Sequence, residues 1–182
     1  LTAKYGLSRS QQKLFLKEIF NFSISKGTIF NEQKIVTAAM QAPVNELLPI
    51  VKEGVSVNVD ETGHNRDGKR EWLWGFISSI AAYFSIHPSR GKKVLRDRMG
   101  DFKNILISDR YVAYTIFTSD QRQLCWAHLK RDFTKLSEKD NKVIARIGKN
   151  LLELESAFFK SWHKFKSEKI SRDELIRQTK PI

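Results

Sequence analysis

The chain has 182 residues and a formal net charge of +12, because 32 Lys and Arg residues outnumber 20 Asp and Glu residues. Its hydrophobic fraction of 41% is enough to bury a core, which excludes a disordered polybasic tail. The longest apolar runs stop well short of the roughly 20 residues that a transmembrane helix needs, so we expect no membrane partner. The single cysteine, Cys125, cannot form a disulfide within the chain, which suits a reducing cytoplasm.

The basic excess is concentrated in the second part of the chain. Residues 86–182 contain 22 basic and 12 acidic residues, a net charge of +10, whereas the first 85 residues carry only +2. Any single Lys or Arg there can simply keep a helical surface solvated. Because a polyanion gains affinity from each neutralised phosphate through counterion release, the excess as a whole favours nucleic acid as the partner.

The first fifty residues carry a helical pattern of apolar residues. The spacing predicts one helix over residues 8–22 and a second that is capped by Ser25 or Thr28 and runs towards Leu48. Two short helices joined around residues 21–26 could form a helix-turn-helix. A plain helical hairpin that packs on the next domain is the favoured alternative.

The period of the pattern changes to two at Val55. Val55, Val57 and Val59 alternate with polar residues, so that Asp60 projects from the opposite face. A turn sequence, Arg-Asp-Gly-Lys, returns the chain as a second strand. The predicted elements that follow the first strand are strands over 71–78 and 82–86, a helix over 92–99, and a wholly apolar strand over 105–107. This order predicts a mixed α/β sheet in which the last strand lies parallel beside the first.

The predicted sheet makes two aspartates candidate site residues. Asp60 and Asp109 would approach each other near the carboxyl ends of neighbouring strands, where open α/β sheets place their sites. Two such carboxylates repel unless a cation lies between them, and Mg²⁺ takes one or two carboxylates while keeping other positions for water or phosphate. An Asp at a strand end can equally be a turn or cap residue, so the spacing alone leaves both interpretations open.

Four motifs carry a family resemblance. They are residues 59–63 (VDETG), 72–74 (WLW), 108–114 (SDRYVAY) and 124–133 (LCWAHLKRDF). In this order they closely resemble the core of the insertion-sequence 66 (IS66) family of bacterial DDE transposases, over about residues 5–172. The resemblance implies a ribonuclease-H-like mixed sheet flanked by helices, which binds Mg²⁺ or Mn²⁺ and cuts and joins DNA at transposon ends. It also implies Asp60 and Asp109 as the first two catalytic carboxylates and metal ligands, a bacterial cytoplasmic, nucleoid-associated protein, and possible homo-oligomers on transposon and target DNA.

The third carboxylate of the family has no counterpart in the sequence. In the family it is a Glu in an Asn-Asn-x-x-Glu-Arg segment that follows a helical insertion. The remaining candidates lie in stretches that we interpret as solvated helix surface: Glu138, Glu153, Glu155, Glu168 and Glu174. We therefore expect a truncated chain with little or no strand-transfer activity. The expected division is an N-terminal helical segment (1–53), a partial core (54–133) and an incomplete C-terminal helical insertion (134–182).

The last motif supplies the remaining site predictions. A single Cys-x-x-His pair, Cys125 and His128, argues against a structural zinc site, which needs more ligands. The resemblance implies instead that Cys125 and Trp126 organise the site and that His128 touches DNA. A buried thiol beside a core Trp126 is the alternative. The basic residues beside the motifs are predicted phosphate contacts: Arg110, Lys130 and Arg131.

Two other functions remain open at this stage. A non-catalytic DNA-binding remnant would bind phosphates through its basic helices and keep the two aspartates only as relics. A ribonuclease-H-like nuclease of another substrate would degrade a hybrid or a junction without joining ends.

Overall fold

Four helices precede the sheet in the computed structural model, which describes residues 1–180. They are α1 (Thr2–Tyr5), α2 (Arg9–Phe20), α3 (Lys26–Ala39) and α4 (Gln41–Lys52). Helix α2 begins with a capping box between Ser8 and Gln11, and the Ser25 hydroxyl caps α3. The single helix predicted from residue 25 to Leu48 is wrong, because α3 ends at Ala39. Pro43 lacks the N–H that would bond to the Ala39 carbonyl, and its ring crowds that carbonyl.

The sheet has five strands in the order β3-β2-β1-β4-β5. The strands are β1 (Ser56–Arg66), β2 (Lys69–Ile77), β3 (Ala82–His87), β4 (Ile105–Ser108) and β5 (Arg122–Leu124). Strands β1, β2 and β3 are antiparallel, whereas β4 lies parallel to β1 and β5 parallel to β4. Helix α5 (Lys92–Met99) connects β3 to β4. The predicted mixed α/β sheet flanked by helices, with β4 parallel beside β1, is confirmed.

The first hairpin is longer than predicted. Strand β1 continues six residues beyond Asp60, because β2 pairs with it as far as the turn between Arg66 and Lys69. Asp67 and Gly68 both have positive φ there (50° and 73°), which matches the right-handed twist of a tight hairpin. Asp60 therefore lies in the middle of a strand, not at its end. Val55 lies outside β1 and is exposed, contrary to the predicted alternation.

One face of the sheet carries the core. The side chains of Val57 and Val59 on β1 and of Trp74 and Phe76 on β2 all point to it. Helix α5 and a 3-10 segment, Val112–Ile116, cover this closed face, and α4 adds Val51 to it. The other core members are Tyr83, Val94, Leu95, Met99, Phe102, Leu106, Ala113, Tyr114 and Phe117. The opposite, open face lacks such a cover among the described residues and exposes Ile77, Phe84 and Ile86.

Three helices follow the sheet: α6 (Trp126–Ser137), α7 (Lys142–Lys166) and α8 (Arg172–Thr179). The long α7 lies within the segment predicted as a helical insertion (134–182) and packs against α6, where the Trp126 ring stacks on Phe158 at 5.0 Å between centroids. Trp126 is half-buried between these helices and does not belong to the sheet core. Within residues 1–180, no helix combines the length and the apolar character that crossing a bilayer requires.

Candidate active site beside strands β1 and β4

Asp60 and Asp109 occupy equivalent positions in the parallel pairing of β1 and β4. Asn58 on β1 pairs with Ile107 on β4, and each aspartate comes two residues later. Parallel pairing ends at Asn58, so on the β4 side of β1 the aspartates lie just beyond the last ladder pair. The pairing therefore brings the backbones of the two residues to the same level of the sheet, although Asp60 is not at the end of its own strand.

Asp60 lies on the open face. Its side chain is exposed, and Oδ1 accepts a hydrogen bond from the backbone N–H of Glu61 (3.0 Å). It borders a shallow depression of about 190 Å³ that is also lined by Leu73, Gly75 and Phe84. No basic side chain among the described residues forms an ion pair with Asp60. Its second carboxylate oxygen is therefore available to a ligand.

Asp109 is half-buried at the carboxyl end of β4. Its Oδ1 accepts a hydrogen bond from the backbone N–H of Tyr111 (2.8 Å), and its backbone carbonyl accepts one from the Ser108 hydroxyl (3.0 Å). The residue borders a cavity of about 270 Å³, separate from the Asp60 depression; its other lining residues are Arg90, Ser108, Arg110, Tyr111, Leu124, Cys125, His128, Leu129 and Asp132. Like Asp60, Asp109 forms no ion pair with a described residue.

Glu61, next to Asp60, points to the closed face and is fully engaged. Its Oε1 accepts a hydrogen bond from Arg90 Nε (2.5 Å), and its Oε2 accepts one from the Tyr114 hydroxyl. Burial raises the pKa of Glu61, although the hydrogen bonds from Tyr114 and Arg90 and the charge of Arg90 counteract that rise. Sequence reasoning missed this residue. The signal that could have found it is its position two residues after Val59, on the same face of the alternating strand.

Tyr114 connects the acidic groups electrostatically. Burial raises the pKa of its hydroxyl, and the hydrogen bond to Glu61 and the charges of Glu61, Asp109 and Asp60 raise it further. The hydroxyl therefore stays protonated and donates to Glu61.

The chemistry of the two carboxylates suits a divalent cation, although Asp60 and Asp109 border separate cavities. Asp60 and Asp109 each have one oxygen that no described hydrogen bond uses, and Mg²⁺ accepts one or two carboxylates with water in its other positions. Glu61 does not qualify as a third ligand, because Arg90 and Tyr114 occupy both its oxygens. Over the described part of the chain, no group of three or more His, Cys, Asp and Glu side chains is arranged to hold a metal ion.

Two predicted phosphate contacts already have acidic partners. Arg110 forms an ion pair with Asp132, and Lys130 forms one with Glu155 (3.1 Å). The interpretation of Glu155 as solvated helix surface is wrong, because it faces α6 and is buried in this pair. Arg131 is exposed and forms no ion pair with a described residue.

The Cys-x-x-His pair lies on the Asp109 cavity. Cys125 precedes α6 and is half-buried, and His128 is half-buried one turn later. The buried Nδ1 of His128 has no hydrogen-bond partner among the described residues. Both residues line the cavity that Asp109 borders. Cys125 is only half-buried and Trp126 lies outside the sheet core, so the alternative of a buried thiol beside a core tryptophan is wrong.

Comparison with known proteins adds the family to this geometry. The family model described as "Transposase IS66 family" matches residues 3–181. No curated protein matches the sequence. Among solved structures, the catalytic core domain of HTLV-2 integrase, solved with magnesium in a trimeric form, is 10% identical. The match covers 53% of this chain and 81% of that one with a TM-score of 0.32, a likeness too low to support inference.

The five-stranded mixed sheet flanked by helices defines the class, a mixed α/β protein. Because the family model covers nearly the whole chain, the protein belongs to the IS66 family of transposases.

Proposed function

We propose that the chain is the DDE-type catalytic part of a DNA transposase, with Asp60 and Asp109 as the ligands of Mg²⁺ or Mn²⁺. The reaction is metal-dependent cleavage and strand transfer at transposon ends. The observation that carries the proposal is the shared register of the two aspartates beyond the Asn58–Ile107 pair, each with one unbonded oxygen.

The surroundings of the aspartates suit this role. When bound, a divalent cation activates a water or a 3′-hydroxyl and stabilises the leaving oxygen in phosphodiester chemistry. The Tyr111 amide fixes one oxygen of Asp109, and the Glu61 amide fixes one oxygen of Asp60. Each carboxylate is thereby oriented without losing its charge to an ion pair.

DNA is the proposed partner, at transposon ends and target, in a bacterial cytoplasm and nucleoid. The net charge of +10 over residues 86–182 supports a polyanion partner. Arg131 and His128 remain proposed DNA contacts. Arg110 and Lys130 are proposed contacts as well, but each would have to leave its carboxylate partner to bind a phosphate. Homo-oligomers on DNA and the division at residues 53 and 133 belong to the same proposal.

We expect little or no strand transfer from the chain alone. Two carboxylates are available, Glu61 is committed to Arg90 and Tyr114, and Glu155 is committed to Lys130. Robust joining of transposon ends would contradict this expectation. It would mean that Glu61 or Glu155 gives up its hydrogen-bonded partner and serves as the third carboxylate.

A second candidate is a non-catalytic DNA-binding protein. The absence of a three-donor metal cluster within residues 1–180 favours it. It requires DNA binding that depends on salt but neither on a metal nor on Asp60 and Asp109.

Mn²⁺ binding, measured by electron paramagnetic resonance, separates the candidates. Asp60→Asn and Asp109→Asn should each weaken binding by at least about tenfold, because each removes one of two charged ligands. Asp101→Asn is the matched control, since Asp101 pairs with Lys52 outside both cavities. Equal Mn²⁺ affinity in all four proteins would refute the catalytic proposal and leave the DNA-binding one.

A further inference from the structure

We infer that Arg90 is a phosphate-binding residue of this site and that Glu61 positions it, so that its terminal nitrogens bind the DNA phosphate beside Asp109. The inference rests on the proposed function for the identity of the ligand. Arg90 belongs to none of the four motifs that carry the family resemblance.

The guanidinium group is fixed from several sides. Its Nε donates to Glu61, its central carbon lies 3.9 Å from the centroid of the Tyr111 ring, and it lies 5.0 Å from that of Trp72. Arginine stacked on aromatic faces keeps its planar donors oriented, so little rotational freedom is lost when it binds a ligand. Arg90 is thus held in one geometry before any ligand arrives.

The fixation leaves the binding end of the side chain free. Neither terminal nitrogen of Arg90 donates a hydrogen bond to a described residue, and the side chain keeps 33% of its surface exposed. Arg90 and Asp109 border the same cavity without forming an ion pair. A phosphodiester would supply the negative charge for Arg90, while Asp109 remains available to a cation.

Glu61 has no comparable access to a ligand. Its side chain is fully buried, and both oxygens are occupied by Arg90 and Tyr114. A buried carboxylate costs free energy unless it is well paired, so its presence requires a partner such as Arg90. We therefore assign Glu61 a positioning role: it fixes the arginine that contacts the phosphate.

The test is DNA binding by the full chain, measured by fluorescence anisotropy with a short labelled duplex over a series of salt concentrations. Arg90→Gln should weaken binding by about tenfold and reduce the slope of log affinity against log salt by about 0.9, the value of one phosphate contact. Arg70→Gln is the matched control, because Arg70 stacks on the same Trp72 ring at 5.1 Å but does not border the Asp109 cavity. Arg70→Gln should lower the DNA affinity only slightly, as the loss of any one exposed positive charge would.

Two further variants separate positioning from charge. Arg90→Lys keeps the charge but cannot form the stacked, Nε-bonded arrangement, so binding should stay near the level of Arg90→Gln. Glu61→Leu removes a negative charge, which by simple electrostatics would tighten DNA binding, whereas loss of positioning weakens it. Equal binding by the Arg90→Gln and Arg70→Gln proteins, or tighter binding by Glu61→Leu, would overturn the inference.

Folding and metal dependence are checked separately. Arg90→Gln leaves a buried carboxylate without its cation, so the substitution is repeated with Glu61→Gln in the same chain, where the same loss is expected. All binding is measured both with EDTA and with Ca²⁺. If Asp60→Asn and Asp109→Asn leave Ca²⁺-dependent binding unchanged while Arg90→Gln still weakens binding in EDTA, the proposed metal function fails and the role of Arg90 stands.

Discussion

Asp60 and Glu61 are neighbours on β1, yet they lie on opposite faces of the sheet. Glu61 points to the closed face, where Arg90 and Tyr114 bond both of its oxygens. Asp60 points to the open face, is exposed, and has one oxygen bonded only by a backbone amide. Because successive residues of a strand point to opposite faces, neighbouring carboxylates can have different roles. The buried Glu61 is paired within the protein, whereas the exposed Asp60 is available to a ligand.

The same contrast extends to the apolar residues of the sheet. On the closed face, Trp74 is completely buried and stacks on Phe76. On the open face, Phe84 lies next to Gly75 and remains 55% exposed, with Ile77 and Ile86 similarly exposed. Strands β2 and β3 are therefore apolar on both sides, but only one side contributes burial to stability within the described residues.

The largest expected effect comes from the closed face. Trp74→Ala should lower the free energy of unfolding by about 3–5 kcal/mol, because it leaves a large cavity in the core. It also leaves the Ser89 carbonyl without the hydrogen bond from the indole Nε1 (3.1 Å). Urea unfolding followed by circular dichroism measures the change.

Phe84→Ala is the open-face control and should cost about 1 kcal/mol or less, since more than half of that side chain is already in water. Similar losses from the two substitutions would mean that the open face is covered in solution, which would remove the contrast between the faces.

The next effect compares the two acids. Glu61→Ala should cost about 2–3 kcal/mol, because it leaves the buried Tyr114 hydroxyl with only the distant Val59 carbonyl (3.4 Å) as acceptor and leaves Arg90 without its partner. Partial exposure of Arg90 keeps the cost below that of a fully buried ion pair. Asp60→Ala should change stability by less than about 0.5 kcal/mol. Chemical denaturation of both variants checks the order, and a larger cost for Asp60→Ala would reverse the assignment of the two residues.

The sequence allowed part of this site to be predicted. The alternation on β1 and the apolar run of β4 are local patterns, and they were enough to predict that β4 lies parallel beside β1. The same alternation placed Glu61 on the Val57 and Val59 face, so a buried acid was predictable. Its partners were not, because Arg90 and Tyr114 lie 29 and 53 residues away and meet it only through tertiary packing.

Other features had no sequence signal. Strand β5 has only three residues, one of them apolar, which is too short for a period to show. Helix α7 has a clear helical pattern, but the pattern does not say which residues face α6. For this reason Glu155 was assigned to the surface although it pairs with Lys130.

A smaller effect is expected at two glycines that meet different surroundings. A Cβ on Gly54, a buried residue between α4 and β1, would lie 2.6 Å from Ser78 Cβ and 3.2 Å from two backbone oxygens. Gly54→Ala should therefore cost about 1–3 kcal/mol, because backbone must move. A Cβ on Gly75 would lie 3.1 Å from the Phe84 ring, which is exposed and can turn away. Gly75→Ala should stay within about 0.5 kcal/mol of the parent chain in urea unfolding; equal costs would show that Phe84 cannot move.

The smallest effect is expected at the rim of the closed face. Lys52, at the end of α4, donates to Asp101 Oδ1 (2.5 Å), and this hydrogen bond lowers the pKa of Asp101 below its ordinary value of 3.8. A lowered folded-state pKa means that the contribution to stability is present above pH 3.8 and is lost as the pH falls through the folded-state value. Asp101→Asn should therefore slightly lower the melting temperature at neutral pH and leave it unchanged in strong acid, where the parent chain has already lost the pair.

Asp140→Asn is the control for this pH series, since Asp140 is exposed and forms no ion pair with a described residue. Its melting curve should follow that of the parent chain at every pH. If Asp101→Asn lowers the melting temperature equally at neutral pH and in strong acid, the loss comes from packing and not from the charge of the pair. In that case α4 would be held to the closed face by its apolar residues alone, through Val51 and its neighbours, because the exposed ion pair would add nothing measurable to that contact.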